Sequence, residues 1–173
     1  MVSGIVYFAY GSNLHPLRLL ERVPSSEFVC RGSIEKYRLV FSKHSEDGSA
    51  KCTIEHTGKS NDIVHGAIYR ISIAEKPILD RYEGIGYRDM EISVRGEEGV
   101  VDCITYVAKQ SHLVESVLPY DWYRDLVVVG SEYHSMPEAY IESLRMVDAV
   151  TDPHPQRRNR NLELLQRMKQ QER

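Results

Sequence analysis

Two features of this chain could do chemistry: the run Tyr10-Gly11-Ser12-Asn13-Leu14 and the carboxylate of Glu83. The run lies where an apolar, strand-like stretch, Val6-Tyr7-Phe8-Ala9, gives way to a helix-like segment. Gly11 lets the backbone turn tightly, Ser12 or Asn13 is placed to cap the following helix, and the first helical N–H groups have no partner inside the helix. Such donors suit a carboxylate or an oxyanion. With one glycine, no following Lys-Thr pair and no G-x-G-x-x-G run, a nucleotide phosphate is the poorer guest. Glu83 falls at the expected C-terminal edge of a helix, beside the apolar Ile85. The partial negative charge of a helix end and the removal of water both raise a carboxylate's pKa, which makes it a better general base for an amine. Each feature also has a plainer reading, because strand-turn-helix junctions are common and a glutamate at a helix end serves equally as a solvated acid.

No other constellation competes. The seven histidines, His15, His44, His56, His65, His112, His134 and His154, show neither H-x-x-x-H nor H-E-x-x-H spacing, so no metal site is expected. No G-x-S-x-G elbow surrounds a serine, which leaves a hydrolase triad without support. Cys103 sits in an alternating apolar run and reads as a packed core residue. Tyr120, Trp122, Tyr123, Tyr133 and Tyr140 gather in the C-terminal third, mostly as packing residues, though a phenol can line a polar pocket while its ring excludes water.

The elements that must position these residues follow from periodicity. Residues 4–9 read as a buried strand and 14–22 as a short helix closed by Pro24. Three more strands are expected over 27–42, 51–56 and 64–73. Ser72-Ile73-Ala74-Glu75 has the capping-box pattern, so a second helix should run over 73–82 and stop at Gly84. A hairpin over 87–95 and 100–108 turns at Gly96-Glu97-Glu98-Gly99. Two more helices are expected, one over 121–130 capped by Asp121 and ended by Gly130, the other over 137–150 with Pro137 in its first turn. Strands with interposed helices, followed by helices alone, predict an α+β fold: a small, mostly antiparallel, barrel-like sheet with helices packed around it.

Length and composition bound the rest. At 173 residues and 42% hydrophobic, the chain suits one domain over 1–150, followed by a tail over 151–173. From Pro153 onward the tail holds six Lys or Arg against two acids, and Leu162, Leu165 and Met168 recur at helical spacing. It reads as a basic amphipathic helix docked on the domain; without interleaved aromatics it makes a poor nucleic-acid arm. A net charge of −3 offers no global attraction to nucleic acid or to anionic membranes. Cys30, Cys52 and Cys103 are odd in number and far apart, which fits a reducing cytoplasm, and no stretch reaches the length of a membrane span.

Tyr10-Gly11-Ser12-Asn13-Leu14, taken with Leu79-Asp80-x-x-Glu83-Gly84 and Gly86-Tyr87, resembles the gamma-glutamylcyclotransferase family. Tyr123, Gly130, Pro137 and Tyr140 also fall where mammalian-type members carry a tyrosine, a glycine before a loop and a proline followed by tyrosine, so the likeness covers most of residues 5–148. It implies an enzyme that needs no cofactor: the α-amine of a small gamma-glutamyl amide attacks its own γ-carbonyl, giving 5-oxoproline and releasing the amine. Glu83 matches the family's base, Tyr10 to Leu14 its glutamyl-binding loop, and Tyr123 and Tyr140 its pocket tyrosines. Glutathione-specific members usually read Tyr-Gly-Ser-Leu where this chain has Tyr-Gly-Ser-Asn, which points away from glutathione. The resemblance leaves open a non-catalytic binding protein that retains the fold, and a cyclotransferase for gamma-glutamyl amines or a biosynthetic conjugate.

Overall fold

The computed structural model describes residues 4–171, so the first residues of the expected domain and the last two of the basic tail lie outside it. Strand β1 (Gly4–Ala9) forms where expected. Helix α1 (Pro16–Arg22) starts two residues late, and neither Ser12 nor Asn13 caps it. His15 does: its Nδ1 accepts from the Leu17 N–H at 3.1 Å, and Pro16 supplies the preset φ of a first helical residue.

The single strand expected over 27–42 is two, β2 (Glu27–Glu35) and β3 (Tyr37–His44). Lys36 between them adopts φ 68°, a left-handed conformation uncommon outside glycine. That turn is fixed by the Lys36 carbonyl accepting from Thr57 N at 2.7 Å and by Tyr37 N donating to the Asp62 carbonyl at 3.2 Å. It sends β3 out of the main sheet to pair with β4 (Ala50–His56) as a separate two-stranded arm.

Strand β5 (Ile63–Ser72) leads into a 3-10 turn (Ile73–Glu75) and then α2 (Lys76–Glu83), stopped by Gly84 at φ 82°. The capping box is open: Ser72 Oγ accepts from Ala74 N, but Glu75 does not reach back to Ser72. Its carboxylate takes the N–H and hydroxyl of Ser25 at 2.9 and 2.6 Å, while Ser72 N donates to Ser25 Oγ at 2.9 Å, so a third residue completes the motif.

The hairpin β6 (Tyr87–Gly96) and β7 (Val100–Ala108) completes a closed five-stranded barrel in the order β1-β5-β2-β6-β7. Every pairing is antiparallel except the closing one, where β1 runs parallel to β7 at Tyr7 and Ile104. Phe8, Ile68, Tyr69 and Ile71 are fully buried on β1 and β5.

Helix α3 (Asp121–Tyr133) is longer than expected and is capped by Tyr120, with Asp121 as its first residue. Gly130 does not end it. Instead Gly130 marks a close approach, since a Cβ there would lie 2.5 Å from the Leu14 Cβ. Helix α4 (Glu138–Arg145) is capped by Pro137 and ends well before 150.

The tail folds as α5 (Pro155–Lys169), with Leu164, Leu165 and Met168 buried and Leu162 partly so. Much of its positive charge is satisfied locally. Arg157 grips the buried Asp152 through two hydrogen bonds at 2.6 and 2.7 Å, Asp152 also accepts from Trp122 Nε1 at 2.9 Å, and Arg158 and Arg167 pair with Asp121 and Glu21. Among the described residues no helix is long and apolar enough to cross a membrane.

The Leu14–Gly130 contact makes a direct prediction. Gly130→Ala places a methyl group inside a fixed packing distance, and overpacking of this kind costs about 2 kcal/mol, measurable as a lowered urea midpoint. A loss below about 0.5 kcal/mol would show that α3 can slide away from the loop.

Candidate active site

The strand-turn-helix junction and the end of α2 open onto one cleft. Tyr10, Gly11, Ser12 and Asn13 line it from the junction and Glu83 from the helix end. Tyr7, Cys52, Tyr87, Tyr106 and Tyr123 complete the walls, from β1, the β3-β4 arm, the β6-β7 hairpin and α3.

The two sides are tied by hydrogen bonds. Asn13 Nδ2 donates to Glu83 Oε1 at 2.8 Å, and Asn13 Oδ1 accepts from Arg22 Nη1 at 2.9 Å. Arg22 in turn lies over the Tyr82 ring at 4.9 Å. A cation at the end of α1 therefore orients an amide, and the amide orients the carboxylate.

Burial pushes the Glu83 carboxyl above its ordinary value; Arg22, Arg18 and Lys43 pull it back, as does a hydrogen bond with Tyr7. The desolvation does not come from Ile85, which is 76% exposed. It comes from the cleft's own walls, where Tyr7, Tyr10 and Tyr106 are buried. Arg18, four residues before Arg22 on α1, has its own pKa lowered to about 9 by burial and by Arg22, and its enclosed Nε has no hydrogen-bond partner. It remains cationic at neutral pH.

The tyrosine hydroxyls hold the walls in place. Tyr10 donates to the Tyr106 carbonyl, Tyr106 to Asp80 Oδ1 at 2.5 Å, and Tyr87 to the Cys52 carbonyl at 2.6 Å. Tyr123 accepts from the Cys52 N–H at 3.1 Å. Burial pushes the Cys52 thiol up to about 12, which leaves it a neutral wall residue and no nucleophile. Among the described residues no group of three or more His, Cys, Asp or Glu is placed to hold a metal ion.

Six of the eight residues singled out from sequence thus meet in one cleft: Tyr10, Gly11, Ser12, Asn13, Glu83 and Tyr123. Leu14 and Tyr140 are not among its walls. Leu14 is fully buried behind the loop, and its carbonyl accepts from Tyr69 Oη at 2.5 Å and His134 Nε2 at 2.8 Å, which makes it an anchor. Tyr140 packs against His65, with ring centroids 4.9 Å apart, and its hydroxyl reaches the His65 carbonyl at 3.4 Å. Sequence reasoning missed Tyr7, Cys52, Tyr87 and Tyr106 as walls, and Arg18 and Arg22 as the charges on Glu83. The i, i+4 spacing of the two arginines on one face of α1 was the available signal.

Residues 63–144 match the AIG2-like family. The mouse protein named gamma-glutamylcyclotransferase is 30% identical over 153 residues, covering 83% of this chain and 78% of its own. The human protein of the same name is 27% identical over 156 residues, covering 84% and 80%. A solved structure titled gamma-glutamyl cyclotransferase superposes with a TM-score of 0.80 at 23% identity, over 95% of this chain and 99% of that one.

The balance of burial against cations at Glu83 can be measured directly. A carbon-13 titration of its carboxyl should give a midpoint above the ordinary 4.5, and Arg22→Met should move it further up. A midpoint at or below 4.5, or one unmoved by the variant, contradicts this arrangement.

Proposed function

The chain belongs to the gamma-glutamylcyclotransferase family, and from that membership we propose that it converts a small gamma-glutamyl compound to 5-oxoproline and a free amine, with Glu83 as the base. The observation that carries this reading is the 2.8 Å hydrogen bond from Asn13 to Glu83, which puts a carboxylate of raised pKa in one cleft with the Gly11–Asn13 backbone.

The substrate's α-amine is protonated near neutral pH and cannot attack. Glu83 takes that proton; the freed nitrogen adds to the γ-carbonyl carbon and closes a five-membered ring. The carbon–nitrogen bond to the leaving group then breaks as the proton held by Glu83 passes to the departing nitrogen. The regenerated carboxylate takes the second proton from the ring nitrogen, leaving the neutral lactam, and that proton ends on the released amine, so protons and charge balance without a cofactor. The Gly11–Asn13 N–H groups hold the glutamyl carboxylate and the oxyanion, which fixes the folded-back geometry that cyclisation needs. Tyr10 and Tyr123 close the cleft against water.

Asn13 supports a substrate other than glutathione. It bridges Arg22 and Glu83 through a donor and an acceptor that leucine lacks. The three cysteines, Cys30, Cys52 and Cys103, are free, in keeping with a cytoplasmic enzyme.

Glu83→Gln keeps the shape of the side chain and removes the base. With gamma-glutamyl-L-alanine as substrate and 5-oxoproline as readout, kcat should fall about 10²-fold or more. For the wild type, kcat/KM should fall as pH drops through the raised pKa of Glu83, because protonation occupies the base. An unchanged rate in the variant removes Glu83 from the chemistry. Thermal protection of the wild type by 5-oxoproline without any turnover favours a binding protein instead.

A further inference from the structure

Lys43, near the end of β3, is 7% exposed, and among the described residues its ammonium makes neither a hydrogen bond nor an ion pair. Its near neighbour Lys51 shows the contrast: partly buried, it pairs with Asp47 at 2.6 Å and lies within 4.8 Å of the Trp122 and Tyr123 rings. Lys43 has only the face of Tyr87, 4.8 Å from its Nζ, and Tyr87 is a wall of the cleft. Its stem lies across Gly86, where a Cβ would come within 2.5 Å of Cε and 3.1 Å of Nζ. The glycine therefore makes room for the lysine, three residues beyond Glu83. Asp47, Glu46 and Glu83 are the acids whose fields act on it, and none forms an ion pair with it. The stem is packed away while Nζ keeps contact with solvent, so the half-desolvated ammonium is open to a ligand of opposite charge.

The proposed reaction says what that ligand is. Glu83 returns its proton to the leaving nitrogen, so that nitrogen sits beside Glu83, and in an amino acid leaving group the carboxylate carbon is two bonds further on. Of the cations acting on Glu83, Arg22 is engaged with Asn13, and Arg18 stands on α1, the helix that follows the glycine turn. Lys43, next to the cleft rather than among its walls, stands against Gly86 and the wall residue Tyr87.

We infer that Lys43 reads the leaving half of the substrate, its ammonium pairing with the carboxylate of an amino acid leaving group, so that discrimination between gamma-glutamyl amino acids and gamma-glutamyl amines runs through this one side chain. The assignment rests on the cyclotransferase reading above.

The test compares gamma-glutamyl-L-alanine with gamma-glutamyl ethylamide, which lacks only that carboxylate. Lys43 also acts on the charge of Glu83, so its removal affects both substrates; the ratio of their kcat/KM values keeps the part that depends on the leaving carboxylate. The wild type should prefer the alanine compound by at least about 30-fold, the scale of one hydrogen bond to a charged group. In Lys43→Met the ratio should fall to within about threefold of unity, through kcat as well as KM, whereas Lys43→Arg should keep at least about tenfold. Turnover of the ethylamide by Lys43→Met reports that the variant is folded.

A wild type without preference, or a variant that loses both substrates in equal proportion, overturns the role of Lys43 and leaves the activity standing. Absence of 5-oxoproline from either compound with the wild type overturns the activity itself, and the role of Lys43 with it.

Discussion

The hydrogen bond between Asn13 and Glu83 joins residues 70 positions apart and decides where the cleft is. An amide suits that place because one end donates and the other accepts: Nδ2 faces the carboxylate and Oδ1 faces the Arg22 guanidinium. A carboxylate at position 13 would repel Glu83, and a leucine would take from both charged groups the hydrogen bond each makes with the amide. The electrostatics depend on the same link. Walls of buried tyrosine raise the cost of the Glu83 charge while three nearby cations lower it, and burial wins in part. The carboxylate is left more basic than one in water, though still able to ionise.

Glu83 is only as well placed as α2, and α2 is fastened from two sides. Asp80, one turn before Glu83, accepts from the Tyr106 hydroxyl on β7 at 2.5 Å and from Lys76 at 2.5 Å, and Lys76 also reaches Asp89 on β6 at 3.2 Å. The exposed ion pairs contribute little by themselves. Tyr106 is buried, and its bond to Asp80 connects the helix to the strand that closes the barrel. The loop has a matching anchorage in Leu14, gripped by Tyr69 and His134 and packed on Gly130. Neither Leu14 nor Gly130 lines the cleft, yet together they set the position of the loop that does.

The parts of the fold governed by local chemistry were legible in the sequence. Alternation fixed β1 and the β6-β7 hairpin within a residue or so, and Gly84 marked the end of α2 as a helix stop should. What stayed hidden depends on contacts between distant segments. Lys36 in a left-handed conformation leaves no mark in the alternation, so two strands read as one. Gly130 reads as a helix stop until Leu14 is seen against it. At the cleft, Glu83 and the loop were legible because each has a local signature: a helix end and a glycine turn. Tyr7, Tyr87 and Tyr106 look like any other strand aromatics; only barrel closure and the approach of the β3-β4 arm turn them toward a common space. Ile85 illustrates the converse, an apolar neighbour in sequence that lies 76% exposed in the fold.

In the proposed reaction, proton transfer from a substrate ammonium to Glu83 replaces two opposite charges by two neutral groups, and a water-poor cleft favours that change more than bulk water does. The cations oppose it by stabilising the carboxylate. An amino acid leaving group alters the balance at the moment of binding. Its carboxylate, paired with Lys43, offsets the field of that ammonium at Glu83, and the base becomes more basic once the correct substrate is in place. A gamma-glutamyl amine brings no such charge and leaves Lys43 holding Glu83 in its ionised, less basic form. In this arrangement recognition of the leaving half and activation of the base are one electrostatic event, which places the discrimination in the transition state as well as in binding.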